Sequence, residues 1–189
     1  MIKPVLGVDV GGVIIGGRTD TQDTIFSQSY LKTPGVEDAF ESLRELGEYF
    51  DIHLVSKCGL NVQQRTLHWL DYKEFSHITG IPKDKMHFCP TRQGKAPICE
   101  KINAKFFVDD RIEVLQYLNL SHSVLFNPSP KEVRRRGFRI ADEGGDDSIN
   151  TCWIFATPDH KQEMMVELAY NWKRTKEILM FYVENKTTT

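Results

Sequence analysis

The sequence predicts a single α/β domain: a mostly parallel sheet of five or six strands with helices on both faces, forming three layers. Three observations predict it. Short apolar runs alternate with amphipathic stripes of helical period along most of the chain. The runs are continuous rather than alternating, as strands covered on both faces are. Three of them stop abruptly at a polar residue, and in such sheets the ligand crevice lies beyond the carboxyl ends of the strands.

The run Pro4 to Val10 breaks at Gly11-Gly12, as a buried strand entering a tight loop does. Val13 to Ile15 and then Gly16-Gly17 lead into a polar stretch before Ile25 and Phe26, so residues 15–33 read as a flap or short insertion. Val36, Ala39, Phe40, Leu43, Leu46 and Phe50 recur at helical spacing after Thr33-Pro34-Gly35. Asp51 to Val55 is the next strand, ending at Ser56, and Asn61 is placed to cap a helix carrying Val62, Trp69 and Leu70. His87 to Cys89 predicts a short strand, Ala96 to Ile102 a short helix, and Lys105 to Val108 a strand stopping at Asp109-Asp110. Ile112, Leu115 and Leu118 mark a helix, for which the acidic doublet is also a good N-cap. Ser123 to Phe126 is a further strand closed by Asn127-Pro128-Ser129-Pro130. Arg134 to Arg136 read as a solvated helix face, and the acidic Ala141 to Asn150 as a surface loop. Cys152 to Ala156 completes the strands; from Pro158 a long helix is expected, with Met164, Leu168, Trp172, Leu179 and Tyr182 on one stripe and a fraying tail at 186–189.

The chain has 189 residues, enough for one core that removes roughly 70% of the unfolded surface from water. With 40% hydrophobic and 26% charged residues and a net charge of -2, it is neither a disordered chain nor one advertising a nucleic-acid partner. No apolar run is long enough to span a bilayer, and the opening lacks the apolar stretch of a signal peptide, so a cytoplasmic protein is expected. Cys58, Cys89, Cys99 and Cys152 show no paired spacing and read as reduced thiols. The histidines lack the spacing of a zinc site, and the three tryptophans read as core.

The polar residues at the strand ends carry the chemistry. Carboxylates brought together at neighbouring strand tips repel unless a cation neutralises them. Their hard oxygens suit Mg²⁺, which keeps positions open for water and substrate phosphate. The strand ending in Asp9, the strand Ile52 to Ser56, Gly94-Lys95-Ala96-Pro97 and Phe106-Phe107-Val108-Asp109-Asp110 together resemble, in order, the four motifs of the haloacid dehalogenase (HAD) superfamily. A signalling receiver domain uses similar residues but puts its acidic pair on the first strand, and here the pair falls on a late one.

That resemblance implies a Rossmann-like sheet in the core order 5-4-1-2-3 and a Mg²⁺-dependent phosphatase acting on a phosphorylated substrate. Asp9 would be nucleophile and metal ligand, the Gly11 carbonyl a second ligand, and Asp109 and Asp110 would hold the ion directly or through water. Ser56, Lys57, Lys95 and the Gly11-Gly12 loop would contact the phosphoryl group, with Ser56 and Lys95 also serving catalysis. Lys83, Lys85 and Lys101 compete with Lys95 for the motif-three role. The sequence departs from the pattern at Gly11, where phosphatases of the superfamily usually carry an acid/base Asp. A positioned acid/base contributes about 10²- to 10⁴-fold, so slow turnover is one expectation and a catalytically silent binding or regulatory protein of the same fold the other. Asp20 and Asp23 are candidate substitutes. Neither the stretch between Gly11 and Val36 nor that between Lys95 and Asp109 is long enough for a cap domain. Such capless relatives resemble enzymes acting on large substrates.

Overall fold

A computed structural model of the chain describes residues 2–16, 24–129, 139–140, 152–156 and 163–185. Its elements run β1 (Val5–Val8), α1 (Ala39–Leu46), β2 (Asp51–Lys57), α2 (Leu60–Tyr72), α3 (Phe75–Thr79), β3 (Met86–Cys89), α4 (Lys95–Lys101) and β4 (Ala104–Asp109). Then follow α5 (Ile112–Leu115), β5 (His122–Phe126), β6 (Arg139–Ile140), β7 (Cys152–Ala156), β8 (Glu163–Ala169) and α6 (Trp172–Asn185).

The strands form one sheet in the order β3-β2-β1-β4-β5-β8-β7-β6. The five-strand core therefore has the expected order 5-4-1-2-3, with all its neighbours parallel. β8 beside β5 brings the parallel part to the six strands expected, and β7 and β6 add an antiparallel edge. Alternation along each strand divides the core between two layers. Leu6, Val8, Leu54, Phe106, Val108, Val124 and Phe126 pack with residues of α1, α2, α3 and α6. Val55, Phe107, Leu125 and Val166 face the other way and pack with Cys99 of α4 and Ile112, Val114 and Leu115 of α5. Helices on both faces bury both sides of the sheet, which is why its strands read as unbroken apolar runs. No separate cap domain stands among the described residues, and no described helix is long and apolar enough to cross a membrane.

Several boundaries differ from the sequence reading. The helix expected from Val36 starts at Ala39, after Asp38 in a left-handed conformation. The second helix begins at Leu60, with Gly59 rather than Asn61 at its N-cap and no side-chain cap bond. The long helix expected from Pro158 is instead β8 followed by α6. Met164 and Leu168 fit a helical period, but Val166 to Ala169 are buried between β5 and β7, and pairing on both sides overrides local periodicity. The one-turn α5 ends before Leu118, and α3 and β6 were not foreseen. The Arg134 to Arg136 run, the Ala141 to Asn150 loop, Asp20, Asp23 and the 186–189 tail lie outside the described residues.

Two buried indoles tie the segment after β1 to the helices. Trp172 donates from Nε1 to the Val13 carbonyl at 2.7 Å, and Trp69 from Nε1 to the Thr33 carbonyl at 2.9 Å. A buried carbonyl that loses its only donor costs about 1–3 kcal/mol. Trp172→Phe, which keeps apolar bulk against Phe126 but removes the donor, should therefore lower unfolding free energy by about 1–3 kcal/mol in urea titration.

On the α4 face, at the sheet edge, His53 of β2 and His87 of β3 stack with centroids 5.2 Å apart, and His53 Nδ1 lies 2.9 Å from His87 Nε2. One ring must donate and the other accept, so the pair requires at least one neutral nitrogen at the contact. Burial pushes both pKa values down, for His53 against the nearby Asp51 and for His87 helped by His53 and Lys101; Lys85 and Asp84 are the other charged neighbours. Below the unfolded-state value of about 6.5, the unfolded chain takes up protons that the folded one refuses. This contribution to stability is thus complete above that value and is lost as pH falls from it toward the depressed folded values. Melting curves of the native protein and of the His53→Gln/His87→Gln variant should converge as pH drops from 7 to 5, since groups common to both cancel.

Candidate active site

Strand register assembles the centre. Val8 of β1 lies opposite Val108 of β4, so the next residue on each strand, Asp9 and Asp109, come side by side, and the Asp9 amide donates to the Val108 carbonyl at 2.9 Å. On the other flank Val8 lies opposite Leu54, which puts Ser56 just past the same tip. Lys95 opens α4 and sends its side chain under the strand ends. Its Nζ donates to Asp9 Oδ1 at 2.7 Å and to Asp109 Oδ2 at 2.8 Å, with all three groups buried.

The competing lysines are occupied elsewhere: Lys83 pairs with Asp71 at 2.7 Å and Lys85 with Asp51 at 2.5 Å, while Lys101 sits at the far end of α4. Behind Lys95 the Phe107 ring lies 5.5 Å from its ammonium, a cation–π contact inside the protein. That ring can lie flat on β1 only because residue 7 is glycine; a Cβ at Gly7 would stand 2.3 Å from the Phe107 ring.

The electrostatics follow from crowding charges out of water. Burial pushes the Asp109 carboxyl up, and the Asp9 charge pushes the same way, while Lys95 opposes both. Burial pulls the Lys95 ammonium down, but the two carboxylates outweigh it and hold its pKa above the ordinary lysine range. Two buried acids sharing one ammonium remain short of positive charge, which is the condition a divalent cation relieves.

The rest of the doublet and the loop complete the donor set. Asp109 Oδ1 accepts from the Arg111 amide at 2.9 Å, so Asp109 shapes the turn into α5, although the helix takes Arg111 as its N-cap without a side-chain bond. Asp110 turns toward the β1 loop and touches Gly12, whose φ is +84°. A Cβ there would meet Asp110 Oδ2 at 2.6 Å, so glycine is needed both for the backbone and for the carboxylate's position. Carboxylate oxygens of Asp9, Asp109 and Asp110 all lie within 4.8 Å of one another. Three carboxylate oxygens gathered in one place are the kind of hard donor set that could hold a divalent cation such as Mg²⁺. Gly11 is exposed, and a Cβ there meets nothing within 4 Å, so its lack of a side chain is not a packing requirement.

All eight residues singled out in the sequence, Asp9, Gly11, Gly12, Ser56, Lys57, Lys95, Asp109 and Asp110, line one cavity of about 420 Å³. Others line it that the sequence did not mark: Arg92 and Arg111 add positive charge, Cys58 a thiol whose pKa burial raises, and Ile25, Phe26 and Val62 apolar surface. Arg92 and Arg111 stand close in sequence to Lys95 and the doublet, a proximity that would have suggested them. Phe26 had no such signal, because a contact with a distant helix places it.

Neither a protein-family model nor a curated protein matches the chain. Among solved structures, it is similar to a haloacid dehalogenase-like family hydrolase from Xanthomonas campestris, with a TM-score of 0.53 and 8% identity over 99% of both chains. It is also similar to a haloacid dehalogenase-like hydrolase from Burkholderia xenovorans, with a TM-score of 0.49 and 12% identity over 69% of this chain and 87% of that one. The first of these likenesses and the sheet order show the Rossmann-like fold of HAD-like hydrolases.

Removing the one cation between two buried acids leaves uncompensated charge, which costs about 3–5 kcal/mol. Lys95→Met should therefore lose about that much unfolding free energy in urea titration at pH 8 in EDTA. A loss under 1 kcal/mol would show that the ammonium does not hold the strand tips together.

Proposed function

We propose that this chain is a Mg²⁺-dependent phosphohydrolase of the HAD type that works through a phospho-aspartate on Asp9. The observation that carries the reading is the buried Asp9–Lys95–Asp109 bridge, with the Asp110 carboxylate within reach of the same point. Asp9, Asp109 and Asp110 would hold the ion, with the Gly11 carbonyl as a further ligand. The ion would offset the acids' charge and polarise the phosphoryl oxygens.

The chain's own residues divide the remaining work. Lys95 engages Asp9 Oδ1, and its raised pKa keeps it charged throughout, so it orients the nucleophile and offsets negative charge. An Asp9 oxygen attacks phosphorus and the ester P–O bond breaks. The leaving oxygen departs with the bonding electrons and takes a proton from solvent, because residue 11 has no side chain to supply one. Water then attacks the phosphorus of the acyl phosphate, releasing phosphate and restoring the Asp9 carboxylate. Ser56 and Lys57, together with the Gly11-Gly12 loop, would bind the phosphoryl oxygens. Gly11, Lys57 and Arg92 are exposed at the cavity, an arrangement that admits a phosphoryl group borne on a large molecule.

Gly11 favours a second reading, a catalytically silent binding protein on this fold. Turnover separates the two. A phosphohydrolase should hydrolyse p-nitrophenyl phosphate with Mg²⁺, stop in EDTA, and lose at least 10³-fold on Asp9→Asn. Gly11→Asp, which meets no steric obstacle, should raise kcat by about 10²-fold for a leaving group that needs protonation. No turnover in either the native protein or Gly11→Asp would leave the binding-protein reading standing.

A further inference from the structure

The cavity has a wall that phosphate and metal chemistry do not use. Thr24, Ile25 and Phe26 line it from the segment that precedes α1, and Val62 and Thr66 from α2. Phe26 is 72% exposed. A lone exposed aromatic is ordinary on a protein surface, but this one has its backbone fastened from several directions.

Arg65, on α2 beside Thr66, donates from Nη1 to the Phe26 carbonyl at 2.8 Å, the Ser27 carbonyl at 3.1 Å and the Ile25 carbonyl at 3.4 Å. Its guanidinium also lies 5.3 Å from the Tyr30 ring centroid, and Tyr30 Oη lies 2.6 Å from His68 Nδ1, one turn further along α2. Within the segment, Ser27 donates to the Thr24 carbonyl from its amide at 2.9 Å and from Oγ at 2.8 Å. The Phe26 amide in turn donates to Thr24 Oγ1 at 3.3 Å.

Holding an arginine in one rotamer costs side-chain entropy. Here that ordering fixes the backbone of a residue whose ring buries little in the folded chain. The ring is pre-organised apolar surface at the edge of the phosphoryl site. The cavity's size also exceeds what a phosphoryl group fills; about 420 Å³ lies in the range of small-molecule sites, with Ile15, Ile25, Val62 and Val114 supplying further apolar lining.

We propose that Phe26 is the leaving-group recognition residue and Arg65 its positioning residue, so that the preferred substrate is a phosphate monoester whose leaving group carries a flat ring. This rests on the phosphohydrolase reading for the word substrate, but the recognition itself needs only binding. The ring of the leaving group packs on the Phe26 face while its phosphoryl group sits at Asp9, and a rigid wall makes that packing cheap in conformational entropy.

Calorimetric titration with benzylphosphonate and methylphosphonate in Mg²⁺ tests it without turnover, since neither P–C bond is hydrolysed by this chemistry. The native protein should bind benzylphosphonate about tenfold more tightly than methylphosphonate. Phe26→Ala should collapse that ratio to about one to two, Phe26→Trp should keep it, and Arg65→Met should reduce it with Phe26 intact. Phe26→Ala should melt close to the native temperature, because its ring is exposed. A ratio retained in Phe26→Ala overturns the proposal, and so does the absence of binding by either phosphonate. Hydrolysis of phenyl phosphate is measured alongside: turnover without a ring preference sinks this inference alone, and a Phe26-dependent ring preference without turnover sinks the phosphohydrolase reading alone.

Discussion

A buried ammonium between two carboxylates organises this end of the molecule. Asp9 and Asp109 arrive side by side because β1 and β4 are neighbours in register, and side by side in a dry environment they would repel. Lys95 makes the arrangement tolerable by hydrogen-bonding one oxygen of each. The cost is met by surrounding structure: the Phe107 ring beneath the ammonium, and the glycine at position 7 that lets the ring lie there. A buried ion pair is weak evidence of stability by itself, since apolar replacements are often as stable. Here it stands in a cavity that also gathers Ser56, Asp110 and the Gly11-Gly12 turn.

Most of the core was legible in the sequence because two-sided burial writes itself as unbroken apolar runs. The strands ending at Asp9, Ser56 and Asp109 were readable for that reason, and a polar residue ending each run marked the crevice. The same logic failed after Pro158. Met164 to Leu168 match a helical period as well as a strand, and only pairing with β5 and β7 decides between them, which no local pattern records. Lys95 was singled out among four lysines by its motif resemblance, but nothing in the local sequence separates it physically from the other three. That separation depends on which ammonium lies under two carboxylates and which are drawn off by Asp71 and Asp51.

The His53–His87 contact and the Arg65 clamp were illegible for a related reason. Each joins residues far apart in the chain, 34 positions in the first case and 38 to 40 in the second. Neither leaves a motif. Spacing along the chain reveals ligands carried on one helix or turn, whereas a site made from neighbouring strand tips is visible only through the ends of its strands. That is why the carboxylates could be named in advance and the aromatic wall beside them could not.

The indole of Trp172 reaches across 159 positions to the carbonyl of Val13, in the loop that follows Asp9. A ribosome adding roughly 5–20 residues per second needs about 8–32 s to cover that distance. The first strand and its aspartate thus emerge well before Trp172, and the loop around them lacks its anchor until that residue has been translated. A nascent chain with only β1 to β5 outside the exit tunnel would carry its acidic residues without the brace that sets the β1 loop, which ties assembly of the site to the emergence of α6.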